Sequence, residues 1–352
     1  MESMIFDMAE RLFRDHVSHG LREDAAAGQC PEALWTRIEE AGLHMALVPE
    51  EAGGFGVPAA EALGLVRIAG AHGLPLPLAE TLIANAVLAR AGLALSGGRL
   101  TIAEGEVLQL ERRGGAVHAS GHLTLVPFAR WADRIVTIAA LDGADHVLSL
   151  PVKDLTVTPA QDLAGMPRDD VAVDLDLPGA NATALPGSMG GMRGLGALVR
   201  SLATAGAMET ILKMSVEYAN DRVQFGRPIG KFQAIQQYLA TMAGETAASR
   251  TAAEMAADSY DTAAFALTVA AAKSRAGEAV ETVGALAHQV HGAIGYTEEH
   301  ALHHFTKRIW SWRDEFGTEL DWTQELGRAA LSSPHDTFWH FITDSTAQGA
   351  TA

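Results

Sequence analysis

The stretch YANDRVQFGRPIGKFQAIQ, residues 218–236, decides how the chain is read. A helical pattern runs into it, Gly226, Pro228 and Gly230 break that pattern, and Lys231-Phe232 restarts it. Breaks between helices collect polar chemistry. Arg222 offers a rigid fork of donors suited to a pyrophosphate, Gln224 and Gln233 offer amides, and Phe225 offers a flat face on which a planar ring can stack. From spacing alone the plainer reading, a helix–helix turn with a surface arginine, is preferred.

Working outward, the residues after about 188 return repeatedly to helical spacing. Leu195, Leu198, Val199, Leu202 and Gly206 form one such series, Phe232, Ile235, Leu239 and Met242 another, and Val269 to Val290 a third. No proline falls between Pro228 and Pro334, so long helices with short connections, a bundle, are expected. Upstream the character changes. Short β-prone runs at Arg134–Ala139, His146–Leu150 and Val171–Leu175 are bounded by Gly, Asp and Pro, with Gly114-Gly115 and Asp142-Gly143 as hairpin turns. These strands suit a small sandwich or barrel. Further upstream, Ile5, Met8, Leu12 and Phe13, then Leu34, Ile38 and Leu43, then 62–68 and 82–88 read as helices, separated by loops that include LVPEEAGGFGVP at 47–58. The expected division is an N-terminal α-helical domain over 1–97, a middle β-domain over 98–187 and a C-terminal helical bundle over 188–352.

Composition narrows the function classes. Among 352 residues, 43 acidic side chains outnumber 26 Lys and Arg, giving a formal charge of -17, a field that repels nucleic acid and anionic membrane surfaces. The single cysteine, Cys30, excludes an intramolecular disulfide and any multi-cysteine metal site, and is read as structural. The first 16 residues, MESMIFDMAERLFRDH, lack the pattern of a signal peptide, and no apolar run approaches a membrane span of about 20 residues. A cytoplasmic protein is expected. His300, His303 and His304 follow Glu299 without an HExxH pattern and are read as incidental histidines on a helix surface, so no metal site is expected.

The 218–236 stretch closely resembles the signature of the acyl-CoA dehydrogenase family: an Arg, a Phe-Gly after two intervening residues, and a Phe-Gln opening the next helix. Two further segments resemble that family at matching separations, PEEAGGFG at 49–56 and QVHGAIGYTEE at 289–299. The resemblance implies an α+β fold of helical, β and helical domains in that order. It implies FAD bound at a subunit interface by Arg222, Gln224, Phe225 and Gln233, with Gln289 and Gly292 holding the ADP part and Thr318 beside the cofactor. The activity implied is removal of two hydrogens across Cα and Cβ of an acyl-CoA, the flavin taking the hydride and a carboxylate taking the α-proton. An electron-transfer flavoprotein is the implied oxidant.

Departures from the family pattern concentrate at the base. Counting from the GAIGYTEE turn, the family's usual catalytic Glu falls on Phe316 in RDEFGTELDW, with Gly317 and Thr318 in place. Glu315 is the adjacent candidate, and Asp314 and Glu319 are weaker ones. Adjacent helical side chains diverge by about 100 degrees, so Glu315 replaces the missing group only where the backbone is not helical. The family's alternative position early in the first C-terminal helix falls in LGALVR, near Gly196 and Ala197, which has no carboxylate. In the β-domain, TIAEGEVLQLERRGG and LTLVPFARWADRIV replace the usual flavin-facing motifs, leaving Val126, Phe128 and Trp131 as substitutes or as strand core. Some bacterial members of the family pair two different subunits that share FAD sites, often for bulky substrates such as steroid side chains. The leading expectation is such a subunit, within a heterotetramer. The alternatives are an autonomous homo-oligomeric dehydrogenase using Glu315, and a non-catalytic scaffold of the same fold.

Overall fold

The computed structural model describes residues 4–185 and 191–332. By its contacts the chain forms two compact units, residues 1–66 with 74–196, and residues 67–73 with 197–352. The boundary expected at 187/188 lies outside the described residues, as does the segment beyond 332.

The first unit begins with helices α1 (Met4–His16), α2 (His19–Ala26), α3 (Glu32–Glu40), α4 (Ala59–Ala71, whose last turn belongs to the second unit) and α5 (Leu78–Arg90). In the 47–58 loop a Cβ on Gly54 would stand 1.8 Å from the Val48 carbonyl oxygen, so only glycine lets the chain fold back there. Ser18 caps α2, accepting from the Leu21 N–H at 3.1 Å.

Among the described residues eight strands follow: β1 (Leu100–Ile102), β2 (Gln109–Arg113), β3 (Ala116–Pro127), β4 (Arg134–Leu141), β5 (Ala144–Pro151), β6 (Thr156–Thr158), β7 (Arg168–Pro178) and β8 (Ala182–Ala184). They form two four-stranded sheets, ordered β1-β4-β5-β8 and β2-β3-β7-β6, with β1 and β4 parallel and every other pair antiparallel. Alternate residues of both sheets, among them Ile135, Leu148 and Leu150 from one and Val117, Leu123 and Val173 from the other, share one buried core, which makes this a sandwich. Both expected hairpin turns are present, Arg113 pairing with Ala116 and Leu141 with Ala144; Asp142 and Gly143 take positive φ, as a two-residue turn requires. The Thr81 hydroxyl donates to the Leu100 carbonyl at 3.0 Å, joining α5 to β1. Cys30 is half-buried and its thiol is pushed up to about 12, chiefly by burial, which keeps it unreactive.

The second unit is built on α6 (Gly191–Asp221), α7 (Gln233–Asp258), α8 (Phe265–His291), α9 (Leu302–Asp314) and α10 (Glu319–Ser332). Met208 and Ile211 of α6, Met242 of α7, Val280 and Val283 of α8, and Phe305 and Ile309 of α9 make its core. In length and apolarity α6 would suffice to cross a membrane, yet 83% of its most apolar window is buried inside the protein, as in a core helix. Arg193, Arg200 and Glu209 interrupt its apolar sequence, and small apolar residues suited to close helix packing raise its mean hydropathy.

Candidate functional site

The signature stretch forms a hairpin between two helices. After α6 the chain makes β9 (Val223–Gln224) and β10 (Arg227–Pro228), paired Gln224 to Arg227, with Phe225 and Gly226 at the tip, both at positive φ. Phe225 is 92% exposed and its ring stands edge-on to Phe232 at 6.1 Å, while the Arg227 guanidinium lies 4.3 Å over the Phe232 ring. Holding a phenylalanine in left-handed backbone and in water has a cost in strain and in unburied apolar area. A ligand or partner outside the chain would cover it. Arg222, Gln224 and Gln233 are exposed as well, and their side chains make no hydrogen bond among the described residues.

The second motif lies close by. α8 ends at His291, and Gly292 follows with φ 61 and ψ -141, backbone open only to glycine. His291 stacks on Tyr218 of α6 at 4.7 Å, four residues before Arg222, so the two glycine-containing turns are joined through one ring pair. Gln289 and Gly292 are exposed. Beneath the turn, His288 lies between Tyr296 at 4.4 Å and Trp310 at 5.5 Å, and its Nε2 meets the Thr306 hydroxyl at 3.1 Å. His291 Nδ1 donates to the Ala287 carbonyl at 2.8 Å, and its ring abuts His300. Burial lowers the pKa of His288, His291 and His300. The reading of His300, His303 and His304 as surface histidines is corrected: His303 and His304 are buried and His300 is half-buried.

At the expected position of the base, α9 stops at Asp314 and the backbone becomes extended at Glu315, then left-handed at Phe316 and Gly317. Glu315 therefore does not follow helical geometry. Its carboxylate is buried and accepts from Nε of Arg200, a buried side chain of α6. Lys273 of α8, 2% exposed, donates through Nζ to the carbonyls of Trp312 at 2.8 Å and Arg313 at 2.6 Å. Burial pushes Lys273 down to about 7, against the opposing pull of Glu315. Phe316 is buried, with Arg200 5.6 Å from its ring centre, and its carbonyl accepts from Trp322 Nε1 at 2.9 Å. Thr318 caps α10: its N–H and its hydroxyl both donate to Asp321 at 2.8 Å. Of the weaker candidates, Asp314 is exposed and Glu319 accepts from Arg313 at 3.3 Å. Glu209 is paired with Arg67 at 2.8 Å and Arg250 at 3.3 Å.

Arg200 and Lys273 were missed by sequence reasoning. Their signal is a cation inside an apolar helical run, Arg200 alone in LGALVRSLATAG and Lys273 with Arg275 in TVAAAKSRAG. In the sandwich, Phe128 and Trp131 pack with Ala25, Ala164 and Met166, and the Phe128 N–H is taken by the Pro167 carbonyl at 2.9 Å. Asp169, fully buried, holds that loop by accepting from the Arg130 N–H at 2.8 Å and the Ala160 N–H at 3.1 Å.

Residues 1–95 match the acyl-CoA dehydrogenase N-terminal domain and residues 194–319 the acyl-CoA dehydrogenase C-terminal domain. The chain belongs to the acyl-CoA dehydrogenase family, whose members are oxidoreductases acting on acyl-CoA and are generally FAD-dependent. Among its relatives, acyl-CoA dehydrogenase IpdE2 of Mycobacterium tuberculosis is 31% identical over 284 residues, 79% of this chain and 80% of the relative. Acyl-CoA dehydrogenase FadE27 of the same organism is 28% identical over 333 residues, 86% of this chain and 88% of the relative. The fold is also that of the ChsE4-ChsE5 complex from Mycobacterium tuberculosis, with a TM-score of 0.84 at 21% identity, covering 94% of this chain and 97% of the solved one. A glutaryl-coenzyme A dehydrogenase in complex with glutaryl-CoA superposes with a TM-score of 0.76 at 22% identity, covering 94% and 96%.

Proposed function

We propose that this chain is one subunit of a heteromeric, FAD-dependent acyl-CoA dehydrogenase, which supplies part of a flavin site to a second dehydrogenase subunit and leaves proton abstraction to that subunit. One observation carries the reading: the carboxylate nearest the family's base position, Glu315, is buried and bound to Arg200, while Arg222, Gln224, Phe225, Gln233, Gln289 and Gly292 of the two implied nucleotide-binding motifs are exposed.

The residues present suit one side of an FAD site. Arg222 is an exposed guanidinium without an ion pair among the described residues, suited to a pyrophosphate; Phe225 presents an exposed ring to a planar group; the side-chain amides of Gln233 and Gln289 make no hydrogen bond among the described residues. Gly292 lets backbone approach a phosphate closely. When bound, the flavin supplies hydride acceptance from Cβ of the acyl-CoA. This chain's part is to bind and orient it, with the Glu315 carboxylate held by Arg200. The ChsE4-ChsE5 structure is a complex of two chains and the Tcur3481-Tcur3483 structure, similar in fold, is of a steroid acyl-CoA dehydrogenase variant, which supports a ring-bearing acyl-CoA as substrate. An electron-transfer flavoprotein is the oxidant we assign.

The test is the absorbance spectrum and native mass of the chain purified alone and then co-expressed with candidate partner subunits. A colourless chain that gains flavin and turnover only with a partner is expected. A yellow homo-oligomer that oxidises acyl-CoA alone would overturn the reading in favour of an autonomous enzyme.

A further inference from the structure

We infer that Arg200, Lys273 and Glu315 act together as a buried clamp that positions the turn from Glu315 to Thr318, with Glu315 the counter-ion of Arg200. The inference deepens the reading above and rests on it only for what the turn faces, not for the clamp itself.

Three helices converge on this turn. Arg200 reaches it from the middle of α6 and takes the Glu315 carboxylate through Nε, with both side chains under a tenth exposed. Lys273 reaches it from α8 and caps the carboxyl end of α9, where the last carbonyls of a helix carry partial negative charge and have no partner within the helix. Trp322 reaches back from α10 to the Phe316 carbonyl. Phe316 keeps its positive φ because these contacts hold the residues on either side of it. A backbone that left the Glu315 carboxylate free for a substrate would part it from Arg200 inside the protein, and breaking a buried pair costs more than the pair's own net stabilisation.

Charge balance supports the same assignment. Two cations and one anion share this buried volume, with Arg313 and Asp314 at its edge. Arg200 cannot give up its proton. Lys273 is the cation that burial pushes down to about 7, with Arg200 adding to that fall and Glu315 opposing it. The charges facing Lys273 are Glu315 and Asp314, which favour its proton, and Arg200 and Arg313, which oppose it. Lys273 and Arg200 are thus positioning residues, acting on the turn and not on substrate.

Thermal unfolding, hydrogen exchange of the 313–322 segment and turnover separate this role from that of a base. In the full chain, Arg200→Met lowers Tm, and adding Glu315→Leu recovers part of the loss, because a hydrophobic pair replaces an ion pair better than one stranded charge does. Lys273→Met speeds exchange across 313–322 and removes the inflection that exchange shows near neutral pH in the unaltered chain. In the flavin-bearing complex, Glu315→Gln lowers Tm, speeds exchange in the same segment, reduces turnover by less than about tenfold and leaves the acidic limb of the kcat–pH profile in place. Additive Tm losses in the Arg200/Glu315 pair would overturn the clamp. So would a Glu315→Gln complex of normal Tm whose turnover drops by about a thousandfold, since Glu315 would then be the base. The unfolding cycle reads on the chain alone, so the clamp stands or falls independently of whether flavin is shared with a partner.

Discussion

A Cβ placed on Gly206 of α6 would stand 1.9 Å from the carbonyl oxygen of Arg67 in the last turn of α4. Gly70 makes the reciprocal approach, 2.1 Å from the Ala203 carbonyl oxygen, so the two helices cross with backbone against backbone. Around the crossing, Arg67, Glu209, Arg250 and Glu254 form a ring of alternating charge. Gly206→Ala must push the helices apart, and we expect it to cost about 2–3 kcal/mol, as overpacking against rigid backbone does. Differential scanning calorimetry checks this; a Tm within a degree of the unaltered chain would show that α4 moves freely.

The exposed Arg222 and Phe225 contribute little to the fold. Arg222→Ala and Phe225→Ala should each change stability by less than about 0.5 kcal/mol. Flavin content of the co-purified complex should nevertheless fall by about tenfold or more for Arg222→Ala, the worth of one charge-assisted contact to a phosphate. Full flavin occupancy in both variants would remove these residues from the cofactor site.

Acid should loosen the Gly292–Tyr296 turn. Burial lowers the pKa of His288, His291 and His300 in the folded chain, so the unfolded chain takes up protons first as pH falls below the ordinary value of 6.5. Stability from these groups is complete above that value and is lost as pH drops toward their lower folded values. His288→Phe, which keeps the stack between Tyr296 and Trp310 but does not titrate, should flatten part of the fall in Tm between about pH 6.5 and 5.

Lys273 acts at the other end of the scale. Its folded pKa of about 7 lies below its ordinary value of 10.5, so between them the unfolded chain binds the proton that the folded chain has released. Stability should therefore rise with pH across that window. Lys273→Met should abolish this rise, measured as the slope of unfolding free energy in urea from pH 7 to 9.5; an unchanged slope would place the titration elsewhere.

Much of the architecture was legible in the order of residues. Helical spacing around Leu195 to Gly206 and the β-prone run from Arg134 to Ala139 are local signals, because a side chain's direction follows from the few backbone dihedrals nearest to it. The turns at Gly114-Gly115 and Asp142-Gly143 were legible for the same reason, since two residues decide whether positive φ is tolerated. The signature at 218–236 was legible as a break between helices, though not as a hairpin with Phe225 at its tip. That strand pairing depends on how α6 and α7 are spaced at their ends.

The sequence by itself determined the α-β-α order, the sandwich's turns and the family, all of which rest on short-range pattern and on motif spacing. Only the tertiary structure decided what Glu315 does. Its partner Arg200 lies 115 residues away, and Lys273 sits on a third element. No local rule links those positions; the packing of α6, α8 and α9 brings them together, and burial then commits the carboxylate to the nearest cation because an unpaired charge there costs too much.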